Sequence, residues 1–365
     1  MRKKVLVAGF STRHVAQSAF GAGCEVYAVD HFCDRDLSFY TRESMPFAEL
    51  DDLPGAVEEM CRRHQPEVMT VTSGAEGLSS RILCGTPPER ARRFLDKLET
   101  HRFFEEIGVP APALLPEGVY PSMVKPRSGS GGWRNRVVRN TDEREAWKSQ
   151  FGDIPVIIEE LAGGAPCSVC CLANGREAMA VAVNRQVLRG GSGPEFGFCG
   201  SFTPYHGEKE RELAALAERI AAASGCRGTL GVDFVSGDRI TAIEVNPRFQ
   251  ATLDTVEMAT GLNLFSAHMA ACRGDLPAGR PPCRLVAARE ILFAEGDVTI
   301  GEGLQRLHPA IADIPWPGSN FEEGQAVVSV YGWGASEEEA KIMLDKHIRT
   351  VSPYMEGRLY GRGSG

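Results

Sequence analysis

Gly231-Val-Asp-Phe-Val-Ser-Gly-Asp-Arg-Ile-Thr-Ala-Ile-Glu-Val-Asn-Pro-Arg248 reads as two short strands joined at Gly237-Asp238. That Gly-X pair suits a two-residue type II′ hairpin turn. With those two residues as the loop, Ser236 faces Arg239 and Asp233 faces Ala242. Side chains alternate along a strand, so Ala242, Glu244 and Asn246 share the face of Asp233. Asp233 and Glu244 then stand diagonally, roughly 7–8 Å apart at the backbone. Val232, Phe234, Ile243 and Val245 point the other way, into a core. Two carboxylates and an amide oxygen are hard donors that suit Mg²⁺ or Mn²⁺ better than zinc. Mg²⁺ held by few protein groups usually completes its shell with water and substrate phosphates, which points to a nucleotide. The bland reading, a hairpin with a wet polar face, is disfavoured by the Asn-Pro-Arg248 that follows directly.

A second stretch points the same way. Ser122-Met-Val-Lys125 is a strand running into Pro-Arg-Ser128-Gly129-Ser130-Gly131-Gly132, and another strand reaches Val138. Backbone N–H groups of such a loop can wrap phosphates, and its glycines permit the positive φ that an anion nest requires. A long hairpin loop of ordinary kind is the alternative. It is not an NTPase P-loop, since Gly-Lys-Ser/Thr and a following helix are absent.

The 365 residues should form two or three structural units around more than one core. A formal charge of −8 and the absence of a long basic run argue against a nucleic-acid surface. No run approaches the roughly 18 apolar residues of a membrane span, and the N-terminus does not read as a signal peptide. Eleven cysteines without framework spacing suggest reduced thiols and a cytoplasmic protein. Cys167-Ser-Val-Cys170-Cys171 reads as a strand in which cysteine serves as a small hydrophobe, because no second Cys or His pair stands at zinc spacing.

The chain opens with a strand over 3–9, a helix over His14–Gly21 and a strand over Glu25–Asp30, a β-α-β unit of Rossmann type. An NAD site fails for want of a second and third glycine after Gly9. Ser11, Thr12 and Arg13, at the helix start, either hold an anionic substrate group or cap the helix. The strand from Pro66 ends near Ser73-Gly74, beside the first strand, and makes Glu76 a substrate-site candidate. Leu95–Pro112 contains a helix ended by Gly108. Arg185 either pairs with a substrate carboxylate or forms a structural ion pair. A helix over 208–223, a helical stretch reaching Ala271 and a Pro/Gly-rich link at 274–282 follow. The last unit has strands at Arg284–Phe293 and Gln325–Tyr331 and a helix at Ser336–Val351.

Asp233 with Glu244-Val-Asn246-Pro-Arg248 resembles the metal-binding end of the ATP-grasp superfamily, which includes biotin carboxylase and carbamoyl phosphate synthase. More closely, the chain is similar to predicted ATP-dependent carboligases, mostly archaeal. The resemblance implies a fold of mixed α/β and α+β class. It comprises a Rossmann-like N-terminal (pre-ATP-grasp) domain at 1–86, an ATP-grasp domain of two α+β lobes at 87–275, and a small α+β C-terminal lobe at 284–353 like the biotin carboxylase tail. It implies that Asp233, Glu244 and Asn246 hold two Mg²⁺ (or Mn²⁺) ions against ATP. It places Arg248 over the transferred phosphoryl group, and Lys97 and Lys125 on the phosphates. Ser128, Gly129, Ser130, Gly131 and Gly132 become a phosphate lid. Val156–Leu161, with Glu159, Glu160 and Leu161, becomes the adenine hinge. Where many relatives carry a glutamate for the ribose hydroxyls, this chain has Pro166 and Cys167.

The joint expectation is a ligase that activates a carboxylate as an acyl phosphate for attack by an amine. Its partners would be a small-molecule acid and amine, with no nucleic acid and no membrane, in a possible homodimer. Carboxylation through carboxyphosphate and a non-catalytic ATP-binding sensor or assembly subunit are the alternatives.

Overall fold

A computed structural model describes residues 2–129, 131–190 and 195–361. Four parallel strands, β1 (Lys4–Gly9), β2 (Glu25–Asp30), β3 (Glu43–Pro46) and β4 (Val68–Val71), lie in the order β3-β2-β1-β4. Helices α1 (Arg13–Gly21) and α2 (Leu53–His64) cover its two faces. Strands β1, β2 and β4 are continuous apolar runs because both faces are covered. The open C-terminal edge of this sheet carries Ser11, Thr72 and Ser73, which face the main cavity.

After the short α3 (Pro88–Ala91) comes α4 (Lys97–Glu106). Asp96 caps α4, accepting from Leu98 N at 2.9 Å, and also takes an ion pair from Arg127. Strands β5 (Ser122–Pro126), β6 (Arg136–Val138) and β7 (Val156–Glu159) make a small antiparallel sheet in the order β6-β5-β7. It packs against α5 (Thr141–Phe151) through Val124, Val138 and Trp147.

The largest sheet has nine strands. Five are β8 (Ala165–Asn174), β9 (Ala178–Leu188), β10 (Phe198–Thr203), β11 (Arg227–Ser236) and β12 (Ile240–Asn246). The chain between β10 and β11 forms α6 (Glu210–Ser224). Cys167, Val169, Cys171 and Ala173 pack with α6 and α4, whereas Cys170 and Leu172 face the opposite core shared with the N-terminal sheet. This alternation with two buried faces explains why apolar cysteines fill β8. The helical stretch expected to reach Ala271 is instead two helices, α7 (Leu253–Thr260) and α8 (Leu264–Arg273). Gly261 ends the first, at φ +72°.

The C-terminal residues correct one expectation. They bring β13 (Val286–Ala294), β14 (Val298–Ile300), β15 (Ile311–Ala312), β16 (Asn320–Phe321), β17 (Ala326–Gly334), α9 (Glu337–Val351), β18 (Met355–Glu356) and β19 (Leu359–Tyr360). β14, β16 and β18 form a three-stranded sheet of their own. β13, β15, β17 and β19, however, extend the large sheet, whose main path runs β12-β11-β8-β9-β10-β13-β17-β15 with β19 on β13. The tail is therefore wedded to the central sheet through β10, not appended as an independent lobe. Among the described residues, no helix is long and apolar enough to cross a membrane.

Candidate active site

The β11–β12 hairpin does not follow the expected register. Ser236 pairs with Ile240, leaving a loop of Gly237, Asp238 and Arg239, and Gly237 does not take the positive φ of a type II′ turn. A bulge then places Ile243 as an extra residue, so Asp233 faces Glu244 directly. These two one-residue shifts add to two beyond the bulge, an even number that restores the expected faces. Glu244 and Asn246 share the Asp233 side as expected, but Ala242 turns into the core and Ile243 lines the cavity.

Asp233 accepts from Gln186 Nε2 at 3.1 Å and Asn246 Nδ2 at 3.0 Å. Asn246 gives its oxygen to Arg248 Nη2 at 3.0 Å, and Arg248 Nε donates to Glu76 at 2.7 Å. The Asn246 oxygen is thus turned toward Arg248, away from the carboxylate pair. Burial, and then the facing Glu244, push the Asp233 carboxyl up to about 7. Lys97 Nζ stands 3.9 Å from Glu244 and donates to the Gly129 carbonyl at 2.7 Å. A half-buried carboxylate pair of like charge, framed by amides, is short of positive charge. Its oxygen donors fit a hard divalent ion, with a half-turn of the Asn246 amide supplying the third oxygen.

All of this opens on a cavity of about 740 Å³. One end is lined by Lys125, Gly131, Gly132, Glu160, Pro166, Asp233 and Glu244. Lys125 Nζ is paired with buried Glu159 at 2.5 Å. Gly131 and Gly132 have φ of +76° and +71°, and a Cβ on Gly132 would lie 2.3 Å from the Phe196 carbonyl. The glycine loop therefore meets the chain entering β10 backbone to backbone, with Phe198 N donating to Gly131 O at 3.3 Å. The other end is lined by Ser11, His14, Phe32, Asp34, Arg289, Asp313 and Trp316.

Residues 94–252 match the sequence model of the ATP-grasp domain. The chain contains an ATP-grasp domain. It is 24% identical to an uncharacterized protein of Methanocaldococcus jannaschii, over 96% of this chain and 92% of that one. It is 27% identical to the Thermus thermophilus carbamoyl phosphate synthase large chain over 54% of this chain, but spans only 21% of that protein. Solved structures share its fold. The biotin carboxylase domain of Hydrogenobacter thermophilus 2-oxoglutarate carboxylase has TM-score 0.75 at 16% identity, covering 99% of this chain and 91% of that one. N5-carboxyaminoimidazole synthase of Aspergillus clavatus has TM-score 0.75 at 17%, covering 96% and 99%. L-amino acid ligase of Bacillus licheniformis has TM-score 0.71 at 16%, covering 97% and 98%.

Within and around the ATP-grasp domain, the structure gathers Lys125, Gly131, Gly132, Glu160, Asp233, Glu244, Asn246 and Arg248 on one cavity. Glu159 and Lys97 are not part of that lining, and Ser128, Gly129 and Leu161 are exposed outside it. Ser130, expected in the phosphate lid, and residues 191–194 lie outside the described residues. Pro166 lines the cavity and Cys167 is fully buried.

The substrate candidates need correction. Arg13 does not reach the cavity. It is 1% exposed and bound by both oxygens of Asp254 (2.7 and 3.0 Å) and by Asp313 (2.9 Å). Thr12 is buried too, its backbone N–H and hydroxyl both given to Asp30. Only Ser11 of the three lines the cavity. Glu76 is buried and positions Arg248. Arg185 points away to Glu337 and stacks over Phe202. Its neighbour Gln186 is the residue that faces Asp233, because adjacent side chains on β9 alternate. Alternation along Asn184, Gln186 and Leu188 was the signal available for it.

A second group of metal-capable side chains, Cys84, His268 and Cys272, lies elsewhere. His268 Nδ1 accepts the Thr229 N–H at 2.8 Å, so Nε2 carries the proton and gives it to the Cys84 carbonyl at 2.9 Å. A protonated ring nitrogen cannot ligate, and this is a satisfied core histidine.

Proposed function

We propose that this chain is an ATP- and Mg²⁺-dependent ligase that joins a carboxylate to an amine. The γ-phosphoryl group of ATP passes to the carboxylate, and the amine displaces phosphate from the acyl phosphate to form an amide. The observation that carries this reading is the half-buried, directly facing Asp233–Glu244 pair sharing a cavity with Lys125 and Arg248. Asp233, Glu244 and Asn246 would hold one or two divalent ions, which would offset the charge of the phosphates.

The chain's own residues do the rest. Lys125 offers its ammonium group to the phosphates from beside Glu159, and Lys97 anchors the glycine loop at Gly129. Arg248, aimed by Glu76 and Asn246, faces the transferring phosphoryl group. The loop from Gly131 to Asn135, which lines the cavity at Gly131, Gly132 and Asn135, would cover the site and exclude water, which would otherwise consume the intermediate. No side-chain nucleophile is needed; positioning and charge suffice. The shared fold of an L-amino acid ligase and of a synthase bound to ADP and 5-aminoimidazole ribonucleotide supports an amine acceptor. The carboxylase domain bound to MgADP and bicarbonate supports a second reading, with bicarbonate as the acid; that structure is of a dimer, and a homodimer is proposed here too.

The test is ADP release by purified protein with Mg²⁺, across a panel of carboxylic acids with and without amines, beside Glu244→Gln. ADP formed only with one acid and one amine, and reduced by about two to three orders of magnitude in the variant, is the expected result. Release with bicarbonate alone would select the second reading. ATP binding that is unchanged in Glu244→Gln, without turnover, would reject both.

A further inference from the structure

The cavity end away from the carboxylate pair holds a charge imbalance. Arg289 lines it, and Arg13, buried outside the lining, reaches it only through its bond to Asp313. Arg13 is bonded to Asp254 and Asp313, with Asp36 at 3.7 Å, and Arg289 is bonded to Asp313. Asp313 is saturated, one oxygen accepting from Arg13 and the other from Arg289 and Ser329. Three carboxylates already face two guanidiniums. Asp34 adds a fourth, at the C-terminal end of β2, and it lines the cavity. Its carboxylate makes no hydrogen bond to any described residue. The nearby Arg35 lies over the Trp316 ring, 5.6 Å from its centroid, and forms no ion pair among the described residues.

A second side chain is idle in the same place. His14, in the first turn of α1, is 8% exposed, lines the same cavity end and also has no hydrogen-bond partner among the described residues. Burial holds its imidazole down to about 4, so it is a neutral polar group. Burial and then Asp313 push Asp34 up, the response of a carboxylate that lacks a cation. A metal ion does not fit the vacancy in charge. Among the described residues Asp34 and His14 belong to no group of three metal-capable side chains whose ligand atoms all lie within 4.8 Å of one another. The rim is apolar, with Phe32 and Trp316 about half exposed at 52% and 49%. A monovalent cation on an apolar body matches a carboxylate, a neutral imidazole and two rings.

We propose that Asp34, with His14 lining the same cavity and Phe32 and Trp316 at the rim, selects the amine substrate by receiving its ammonium group, and that this substrate is a primary amine on an apolar body. This rests on the ligase reading above for the role of the amine, but its test needs no turnover. The cavity is thereby divided, with nucleotide and metal at the β11–β12 end and amine at the edge of the parallel sheet. For transfer the ammonium passes a proton to Asp34, the free amine attacks the acyl carbon, and phosphate leaves.

The experiment is calorimetric titration of the full chain with three isosteric probes: hexylamine, 1-hexanol and hexanoate. The expected result is hexylamine binding about ten- to a hundredfold more tightly than hexanol, with hexanoate weakest. Asp34→Asn should abolish the preference and Asp34→Glu should retain part of it. Thermal unfolding separates this from a structural role: removing a surplus half-buried carboxylate should leave the midpoint unchanged or raise it, whereas loss of a structural contact would lower it. Equal binding of hexylamine and hexanol, strongest binding of hexanoate, or a preference that survives Asp34→Asn would overturn the proposal. Glu244→Gln should bind hexylamine like the parent while releasing no ADP, so a failed ligase reading and a failed amine site give different results.

Discussion

Gln186 holds one oxygen of Asp233 and Asn246 holds the other, so two amides set the aim of that carboxylate. Removing such a support typically costs a metal site about ten- to a hundredfold in affinity. Gln186→Ala should therefore raise by that factor the Mg²⁺ concentration giving half-maximal ADP release, and Arg185→Ala should not. Arg248→Lys should lower the turnover rate about a hundredfold or more with little change in ATP binding, because a point charge cannot keep the separate bonds to Glu76 and Asn246. At this scale residue chemistry was readable wherever the side chains are close in sequence. Asp233, Glu244 and Asn246 lie on one hairpin, and its period of two exposes them. Arg13 was not readable, because its partners Asp254 and Asp313 come from distant segments. A guanidinium at a helix start looks the same in sequence whether it meets a substrate or three buried aspartates.

The hairpin shows how an element can be misread and still deliver its chemistry. The loop has three residues because the chain at 163–164 crosses directly beneath it: a Cβ on Gly237 would lie 2.1 Å from the Gly163 carbonyl. That long-range contact has no local signature, and neither does the bulge at Ile243. Gly237→Ala should thus force the loop away from residues 163–164 and weaken nucleotide binding several-fold, as read by equilibrium titration with ATP. Helices α1, α7 and α8 meet at another group with a checkable signature. Glu257 accepts from Ser18 Oγ and Leu264 N, both at 2.6 Å. Burial pushes its carboxyl up to about 7, from an ordinary value of 4.5. The folded protein therefore holds this proton more tightly than the unfolded chain does. Its contribution is complete below about pH 4.5, declines as pH rises to about 7, and is lost above. Unfolding midpoints of Glu257→Gln and the parent should diverge across that window, the variant losing less stability as pH rises. Parallel pH curves would reject the assignment.

Arg13 joins three parts of the whole molecule: it leaves α1 and meets Asp254 on α7 and Asp313 and Tyr331 from the C-terminal residues. Its side chain is 2% exposed, and truncation would leave buried Asp254 without its ion-pair partner, while Asp313 keeps Arg289. Arg13→Met should cost about 3–5 kcal/mol in denaturant unfolding. The general architecture could be anticipated, since periodicity marks each helix and strand, but the joining of the tail to the central sheet could not. Nothing in Val286–Ala294 says which strand it will pair with. That pairing has a consequence for synthesis on the ribosome. Until residues 286–294 emerge, β10 has one bare edge, and Val187, Cys199 and Phe202 lack the tail that covers them. A nascent chain stalled near residue 275 would be sticky, a natural client for a chaperone. A fragment cut to the ATP-grasp match alone should aggregate on expression, and the last quarter of the message should decide whether the first three quarters stay in solution.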